Sequence, residues 1–147
     1  MTVTSHSQDE TADVGRQLAS TLAPGSVLLL IGDLGAGKTA LVRGLAEGLG
    51  VRPEEVSSPT FTLMQEYRGG RLPLIHVDLY RLNDAREIDE LGLEELGLNS
   101  VLAIEWAEKL PRPFSDAIEV RIDHGDADER RLTIAASFSI PYLNESA

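Results

Sequence analysis

A glycine-rich segment near the start of the chain has the residue types and spacing that bind phosphate. Residues 32–39 read GDLGAGKT and match the pattern G-x-x-x-x-G-K-[ST] at every fixed position. Glycines let the backbone wrap closely around an anion, with successive N–H groups directed at phosphate oxygens. We expect Lys38 to bridge the β- and γ-phosphates of a nucleotide and the Thr39 hydroxyl to ligate Mg²⁺. The predicted nucleotide contacts in this run are Asp33, Leu34, Gly35, Ala36, Gly37, Lys38, Thr39 and Ala40.

The flanking sequence supplies the context that such a loop needs. The continuous apolar run Val27–Ile31 is typical of a strand buried on both faces. Residues 38–49 carry apolar side chains on one helical face, and Gly50 ends that helix. A glycine-rich turn that merely joins a strand to a helix is the simpler interpretation. The strand before the motif and the helix after it favour the phosphate site.

Two carboxylates follow apolar strands and are candidates for the chemistry beside the phosphates. Asp78 ends the run LIHVD, and Glu105 ends the run VLAIE. A phosphate loop of this kind uses a carboxylate at the end of a neighbouring strand to organise Mg²⁺ and its waters. Both residues are therefore predicted to be catalytic, although each could simply be a strand end that meets solvent.

Three other residues have a possible role at the site. Thr60 lies between the phosphate-loop helix and the next strand, where switch segments respond to the γ-phosphate, although a plain Ser/Pro turn fits equally well. His76 is expected to be a packed or hydrogen-bonded core histidine rather than a catalytic base. Trp106 follows Glu105 directly, so it belongs either to the core or to a site or partner surface.

The sequence also bears on which nucleotide is bound. No Asn-Lys-x-Asp element that would recognise guanine is present, which favours ATP over GTP.

The order of predicted elements favours an α/β fold. A capping box at Ser7 and Glu10 begins a first helix that Pro24-Gly25 ends. The later predicted elements are a strand at 61–67, a strand at 72–77, two short helices within 83–98, a strand at 101–104 and a hairpin of 117–122 with 131–135. We expect a P-loop NTPase-like, mainly parallel central sheet with helices on both faces and an antiparallel C-terminal edge hairpin. Residues 1–147 are predicted to form one domain, with flexible tails at 1–6 and 138–147.

Composition narrows the classes of function. The formal charge of −11 opposes direct, extended binding to RNA phosphates. The absence of cysteine excludes disulfides, thiolate metal sites and a catalytic thiol. No apolar run approaches the ~18–20 residues that span a bilayer, and the first residues do not resemble a secretory signal. We therefore predict a cytoplasmic location.

Four segments together resemble the TsaE family, formerly called the YjeE ATPases. They are GDLGAGKT at 32–39, SPTFTL at 58–63, HVDLYRL at 76–82 and IEWAE at 104–108, and the likeness runs from about residue 7 to 135. The resemblance implies an ATPase needed to form threonylcarbamoyladenosine next to the anticodon of certain tRNAs. It also implies work with the TsaD and TsaB proteins, in which ATP binding and hydrolysis reset the assembly. Contact with tRNA would be indirect, through that complex.

The resemblance assigns roles by position. Lys38 matches the phosphate-loop lysine, Thr39 and Glu105 match the metal ligands, and Asp78 and Thr60 match the strand-end aspartate and the switch threonine. Further matches, listed together, are the nucleotide contacts Gln8 and Arg130 and the partner or coupling residues Trp106, Ser58 and Pro59. Two other functions stay open on the residues alone. One is a small-molecule kinase, and the other is a nucleotide-gated binding module with negligible turnover.

Overall fold

Seven strands and four α-helices make up the part of the chain that the computed structural model describes, namely residues 1–33, 36–52, 63–112 and 114–136. The strands are β1 (Thr2–Ser5), β2 (Val27–Ile31), β3 (Met64–Tyr67), β4 (Leu74–Asp78), β5 (Val101–Glu105), β6 (Ala117–His124) and β7 (Arg130–Ala136). The helices are α1 (Gln8–Ala19), α2 (Lys38–Gly48), α3 (Ala85–Glu90) and α4 (Leu93–Leu96), and a 3-10 turn follows β5 at Ala107–Lys109.

The strands form one sheet in the order β1-β7-β6-β2-β5-β4-β3. The four central strands, β6, β2, β5 and β4, are parallel, and β3, β7 and β1 add antiparallel pairs at the two sides. Parallel strands need a crossover between them, which is why β2, β5 and β4 are joined through helices. The predicted α/β class with a mainly parallel centre is confirmed.

The N-terminal residues are ordered, so the prediction of a flexible tail at 1–6 is wrong. Thr2–Ser5 pair with β7, and the Thr2 backbone lies opposite Thr133. The strand β1 therefore forms this edge of the sheet. The C-terminal hairpin β6–β7, which was predicted to be at the edge, lies one strand inside it. The predicted tail at 138–147 lies outside the described residues, and the single domain stays a prediction.

Helices α1 and α2 pack against each other on one face of the sheet. The capping box prediction is confirmed, because the Glu10 N–H donates to Ser7 Oγ at 3.0 Å. The helix ends at Ala19 rather than near Pro24, although Leu22 beyond it is still buried. Close approach of the two helices depends on Gly44, where an ideal Cβ would lie 1.8 Å from the Ala12 carbonyl oxygen.

Helices α3 and α4 and the 3-10 turn cover the opposite face of the sheet. The core on that side includes Ile75, Val77 and Leu102 with Ile88 of α3 and Leu93 of α4. The predicted helical pair within 83–98 is confirmed. Successive strand residues alternate between faces, so His76 and Asp78 project with Leu74 toward the α1–α2 side. None of the described helices is long and apolar enough to cross a membrane.

Candidate phosphate-binding site

The loop between β2 and α2 lies at the carboxyl end of the parallel strands, where α/β sheets form their binding sites. Helix α2 begins at Lys38 with Gly37 as its N-cap. Gly37 has a φ of 110°, a left-handed conformation that strains any residue with a Cβ. Because the N-cap residue has no side chain, the first N–H groups of the eleven-residue helix stay available for an anion.

Lys38 is buried, with 4% of its surface exposed, and its side chain folds back over the loop. Nζ donates a hydrogen bond to the Gly32 carbonyl at 2.5 Å and lies 3.8 Å from the centroid of the Trp106 ring. Burial lowers the pKa of this lysine, and the negative charge of Glu105 is the largest opposing influence. Among the described residues this desolvated ammonium forms no ion pair, so it is suited to receive phosphate oxygens.

The two predicted carboxylates are neighbours across the sheet. Asp78 and Glu105 end adjacent parallel strands and are paired in register. Both are buried, and both act electrostatically on Lys38. Burial raises the pKa of Asp78, repulsion from Glu105 adds to the rise, and the Tyr80 N–H bond to Oδ1 at 2.9 Å opposes it. Two chemically equal carboxyl groups therefore have different environments within one site.

His76 hydrogen-bonds the second of these carboxylates. Its Nε2 lies 2.5 Å from Glu105 Oε2, and the imidazole is fully buried. The expectation of a hydrogen-bonded core histidine is confirmed. The identity of its partner was not predicted, because the two residues are 29 positions apart and meet only through the β4–β5 pairing.

Trp106 adopts a left-handed backbone with a φ of 59°, and its ring lies against the Lys38 ammonium group. The Tyr80 ring lies beside it, with centroids 5.1 Å apart and planes tilted by 43°. Lys109 also contacts Tyr80, because its Nζ lies 5.6 Å from the Tyr80 ring centroid and donates to the Tyr80 carbonyl. No role for Tyr80 or Lys109 was predicted from the sequence, although Tyr80 belongs to the HVDLYRL segment at 76–82.

A cavity of about 310 Å³ adjoins the phosphate loop and brings two distant residues together. Its lining includes Gln8 at the start of α1 and Arg130 at the start of β7. The Arg130 guanidinium is held by the Ala127 and Glu129 carbonyls at 3.2 and 2.9 Å. The other lining residues are His6, Ser7, Thr11, Ala36, Gly37, Ala40 and Asp128. Whether Gln8 and Arg130 touch a nucleotide stays a prediction.

The other predicted residues divide into two groups. Asp33 is exposed at the loop, Thr39 is half-buried in the first turn of α2, and Ala36 and Ala40 are buried beneath the cavity. The remaining predicted residues lie outside the described part of the chain, and they are Leu34, Gly35, Ser58, Pro59 and Thr60.

The oxygen-bearing side chains at this site can be compared with the ligands that Mg²⁺ usually has in proteins. Within the described ranges, no group of three or more His, Asp or Glu side chains could enclose a metal ion. Magnesium usually accepts one or two carboxylates and completes its octahedron with water and phosphate oxygens. Asp78, Glu105 and the Thr39 hydroxyl at the loop fit that partial donor set, and a complete protein cage is not required.

A glycine-rich strand–loop–helix beside strand-end carboxylates, on a mainly parallel sheet, defines a P-loop α/β protein. The family model described as "Threonylcarbamoyl adenosine biosynthesis protein TsaE" matches residues 5–132. The chain therefore belongs to the TsaE family, and the resemblance drawn from the sequence is confirmed. Proteins of the TsaE family act in the biosynthesis of threonylcarbamoyladenosine in tRNA.

Individual relatives agree with this assignment. A tRNA threonylcarbamoyladenosine biosynthesis protein TsaE from a Nostoc species is 46% identical over 86% of this chain and 80% of its own length. The Bacillus subtilis protein of the same name is 43% identical over 87% of this chain and 80% of its length. A crystal structure of Bacillus subtilis YdiB is similar to the present structure with a TM-score of 0.74 and 34% identity, covering 99% of this chain and 92% of that one.

Proposed function

We propose that this chain is a Mg²⁺-dependent ATPase that acts in threonylcarbamoyladenosine formation together with the TsaD and TsaB proteins. The observation that carries the ATPase proposal is the register pairing of Asp78 with Glu105 at the strand ends. Both carboxylates act electrostatically on the buried Lys38. This arrangement supplies a cation for the phosphates and acidic groups for a metal and a water.

Phosphate binding would be shared between backbone and side chain. The first N–H groups of α2 and the loop backbone would receive the α- and β-phosphate oxygens. Lys38 would turn from the Gly32 carbonyl toward the β- and γ-phosphates. Little covalent chemistry is asked of the protein in phosphoryl transfer, so positioning and charge neutralisation supply most of the rate.

The carboxylates would divide the remaining work. Glu105 and the Thr39 hydroxyl would hold Mg²⁺, which when bound neutralises the charge that develops on the phosphate oxygens. Asp78, whose pKa is raised by burial, would orient the attacking water and receive a hydrogen bond from it. Lys38, Asp78 and Glu105 are themselves buried, and this would limit access of bulk water to the transferred group.

The base would occupy the cavity beside the loop. The cavity is lined by residues at the start of α1, at the start of α2 and in the β6–β7 hairpin. Gln8 and Arg130, which are far apart in the sequence, both line it. The absence of an Asn-Lys-x-Asp element in the sequence supports adenine rather than guanine. ATP is therefore the proposed nucleotide.

The proposed partners follow from the family. The acidic charge of −11 supports a protein that reaches tRNA through TsaD and TsaB rather than by binding RNA phosphates itself. A cytoplasmic location goes with that role. Trp106 is the proposed coupling residue among the described residues of the site, because its ring connects the loop lysine with Tyr80.

Single-turnover hydrolysis of ATP, with and without purified TsaB–TsaD, tests the proposal. We expect Mg²⁺-dependent phosphate release that TsaB–TsaD accelerates and that Lys38→Ala abolishes, while Gln17→Ala on the exposed side of α1 behaves as wild type. Transfer of phosphate to a small molecule would favour the kinase. Tight ATP binding without release in either condition would favour the nucleotide-gated binding module.

A further inference from the structure

The buried imidazole of His76 lies within the site and has no assigned function. It is fully buried and contacts Glu105 through Nε2. In the described part of the chain, its other nitrogen, Nδ1, is buried without a hydrogen-bond partner. A side chain enclosed this completely cannot touch a substrate, so any role must act through its neighbour.

The unpartnered nitrogen indicates the direction of the hydrogen bond to Glu105. A proton on Nδ1 would bury a donor that has no acceptor in the described part of the chain, which is unfavourable. The donor toward the carboxylate is therefore the Nε2–H, and Nε2 lies 2.5 Å from Glu105 Oε2.

The sheet fixes the direction of this bond. In the β4–β5 pairing, His76 lies opposite Ala103 and Asp78 lies opposite Glu105. The hydrogen bond therefore runs diagonally from one strand to the next on the face that carries Lys38. It occupies Oε2 of the carboxylate, and Oε1 is not used by His76.

We propose that His76 is a positioning residue that holds the Glu105 carboxylate so that its other oxygen is presented to the divalent cation. The inference rests on the proposed function, in which Glu105 is a metal ligand. Groups that orient a metal ligand are worth about 10–100-fold in metal affinity when removed. A glutamate has three rotatable bonds, and the histidine restricts them before the metal arrives.

Mg²⁺ titration at a fixed ATP concentration, on the full chain, measures the effect. His76→Gln keeps an N–H donor at nearly the reach of Nε2 and is expected to leave the Mg²⁺ midpoint near wild type. His76→Leu and the shorter His76→Asn lose that donor, and we expect the midpoint to rise about tenfold. Binding of metal-free ATP should stay unchanged in all three variants.

Three further measurements separate positioning from a general structural role. Ile75→Ala lowers stability from the opposite face of the same strand, so its Mg²⁺ midpoint should not move even where its melting temperature falls. In a double-mutant cycle, His76→Leu should have no further effect once Glu105→Ala has removed the group it positions. Nitrogen-15 NMR of the metal-free wild type should show that His76 carries a proton on Nε2 and none on Nδ1.

The outcomes distinguish the two proposals. If Glu105→Ala does not move the Mg²⁺ midpoint, the proposed metal assignment is wrong and the role of His76 falls with it. If Glu105→Ala moves the midpoint and His76→Leu and His76→Asn do not, only the inference about His76 is overturned. An equal effect of His76→Leu with and without Glu105, or a proton found on Nδ1, would also overturn it.

Discussion

The ammonium group of Lys38 lies 3.8 Å from the centroid of the Trp106 ring, so the first residue of α2 touches the residue that follows β5. A cation over an aromatic face is attractive, and more so where water is excluded. The contact connects the phosphate loop to the strand end that carries Glu105. Any anion that draws Lys38 toward itself must compete with this contact and with the Gly32 carbonyl.

Replacing Trp106 by alanine and by glycine separates its ring from its backbone. Both variants lose the ring, and we expect both to change ATP affinity by the same factor. The left-handed φ of 59° costs a residue with a Cβ about 1–2 kcal/mol, and glycine avoids that strain. Trp106→Gly should therefore melt several degrees above Trp106→Ala. Equal melting temperatures would mean that the backbone is not held in this conformation in solution.

Lys38→Met should abolish measurable ATP binding by calorimetry, because the variant has no charge to face the phosphates. Near-wild-type ATP affinity in Lys38→Met would contradict the phosphate-loop assignment. The same variant should melt above wild type at neutral pH without nucleotide, since it removes an ammonium group whose charged form burial disfavours.

The lowered pKa of Lys38 also predicts a pH dependence. Between that pKa and the ordinary value of 10.5, the unfolded chain binds more protons than the folded chain, so wild-type stability rises with pH in that window. The difference in melting temperature between Lys38→Met and wild type should therefore shrink as pH rises through the window. A difference that is constant in pH would show that burial does not perturb this lysine.

Asp78→Asn should stabilise the nucleotide-free protein at neutral pH and abolish hydrolysis. The pKa of Asp78 is raised above its ordinary value of 3.8, so the neutral form is favoured by folding. That contribution is fully present below pH 3.8 and is lost as pH rises through the raised pKa. Asparagine keeps the acceptor for the Tyr80 N–H without the charge. Chemical denaturation at neutral and acidic pH should show the advantage of Asp78→Asn disappearing in acid.

Gly44→Ala should lower the melting temperature more than an ordinary helix substitution. An added Cβ would lie 1.8 Å from the Ala12 carbonyl oxygen, so α1 must move away from α2. Overpacking of this kind costs about 1–3 kcal/mol or more. Gly125→Ala is the matched control, because the three atoms nearest to its added Cβ would all belong to the Glu129 side chain, at 3.1–3.2 Å. Since Gln8 begins α1, ATP affinity should fall in Gly44→Ala and not in Gly125→Ala.

Local patterns were sufficient to predict the parts of the site that are continuous in sequence. The apolar run Val27–Ile31, the glycine-rich loop and the amphipathic α2 follow one another, so each confirms the next. The Ser7–Glu10 cap is likewise set within one turn of helix. These features depend on backbone chemistry and periodicity that neighbouring residues determine.

The features that were not predicted depend on partners far away in the chain. The strand β1 is only four residues long and is stabilised by pairing with β7, which its own sequence does not reveal. The bond between His76 and Glu105 requires the β4–β5 register. Trp106 is a residue type that rarely takes a positive φ, so no propensity rule would have given its conformation.

The sheet order also has a consequence for how the chain is made. The strand β2 lies between β5 and β6, so its two neighbours are translated only when residues 101–124 leave the ribosome. At about 5–20 residues per second, the complete glycine-rich motif exists for several seconds without the strands that support it. A nascent chain halted before Val101 thus contains residues 32–39 but no assembled sheet centre around them. Nucleotide should consequently protect released chains from proteolysis and give no protection to such ribosome-bound ones.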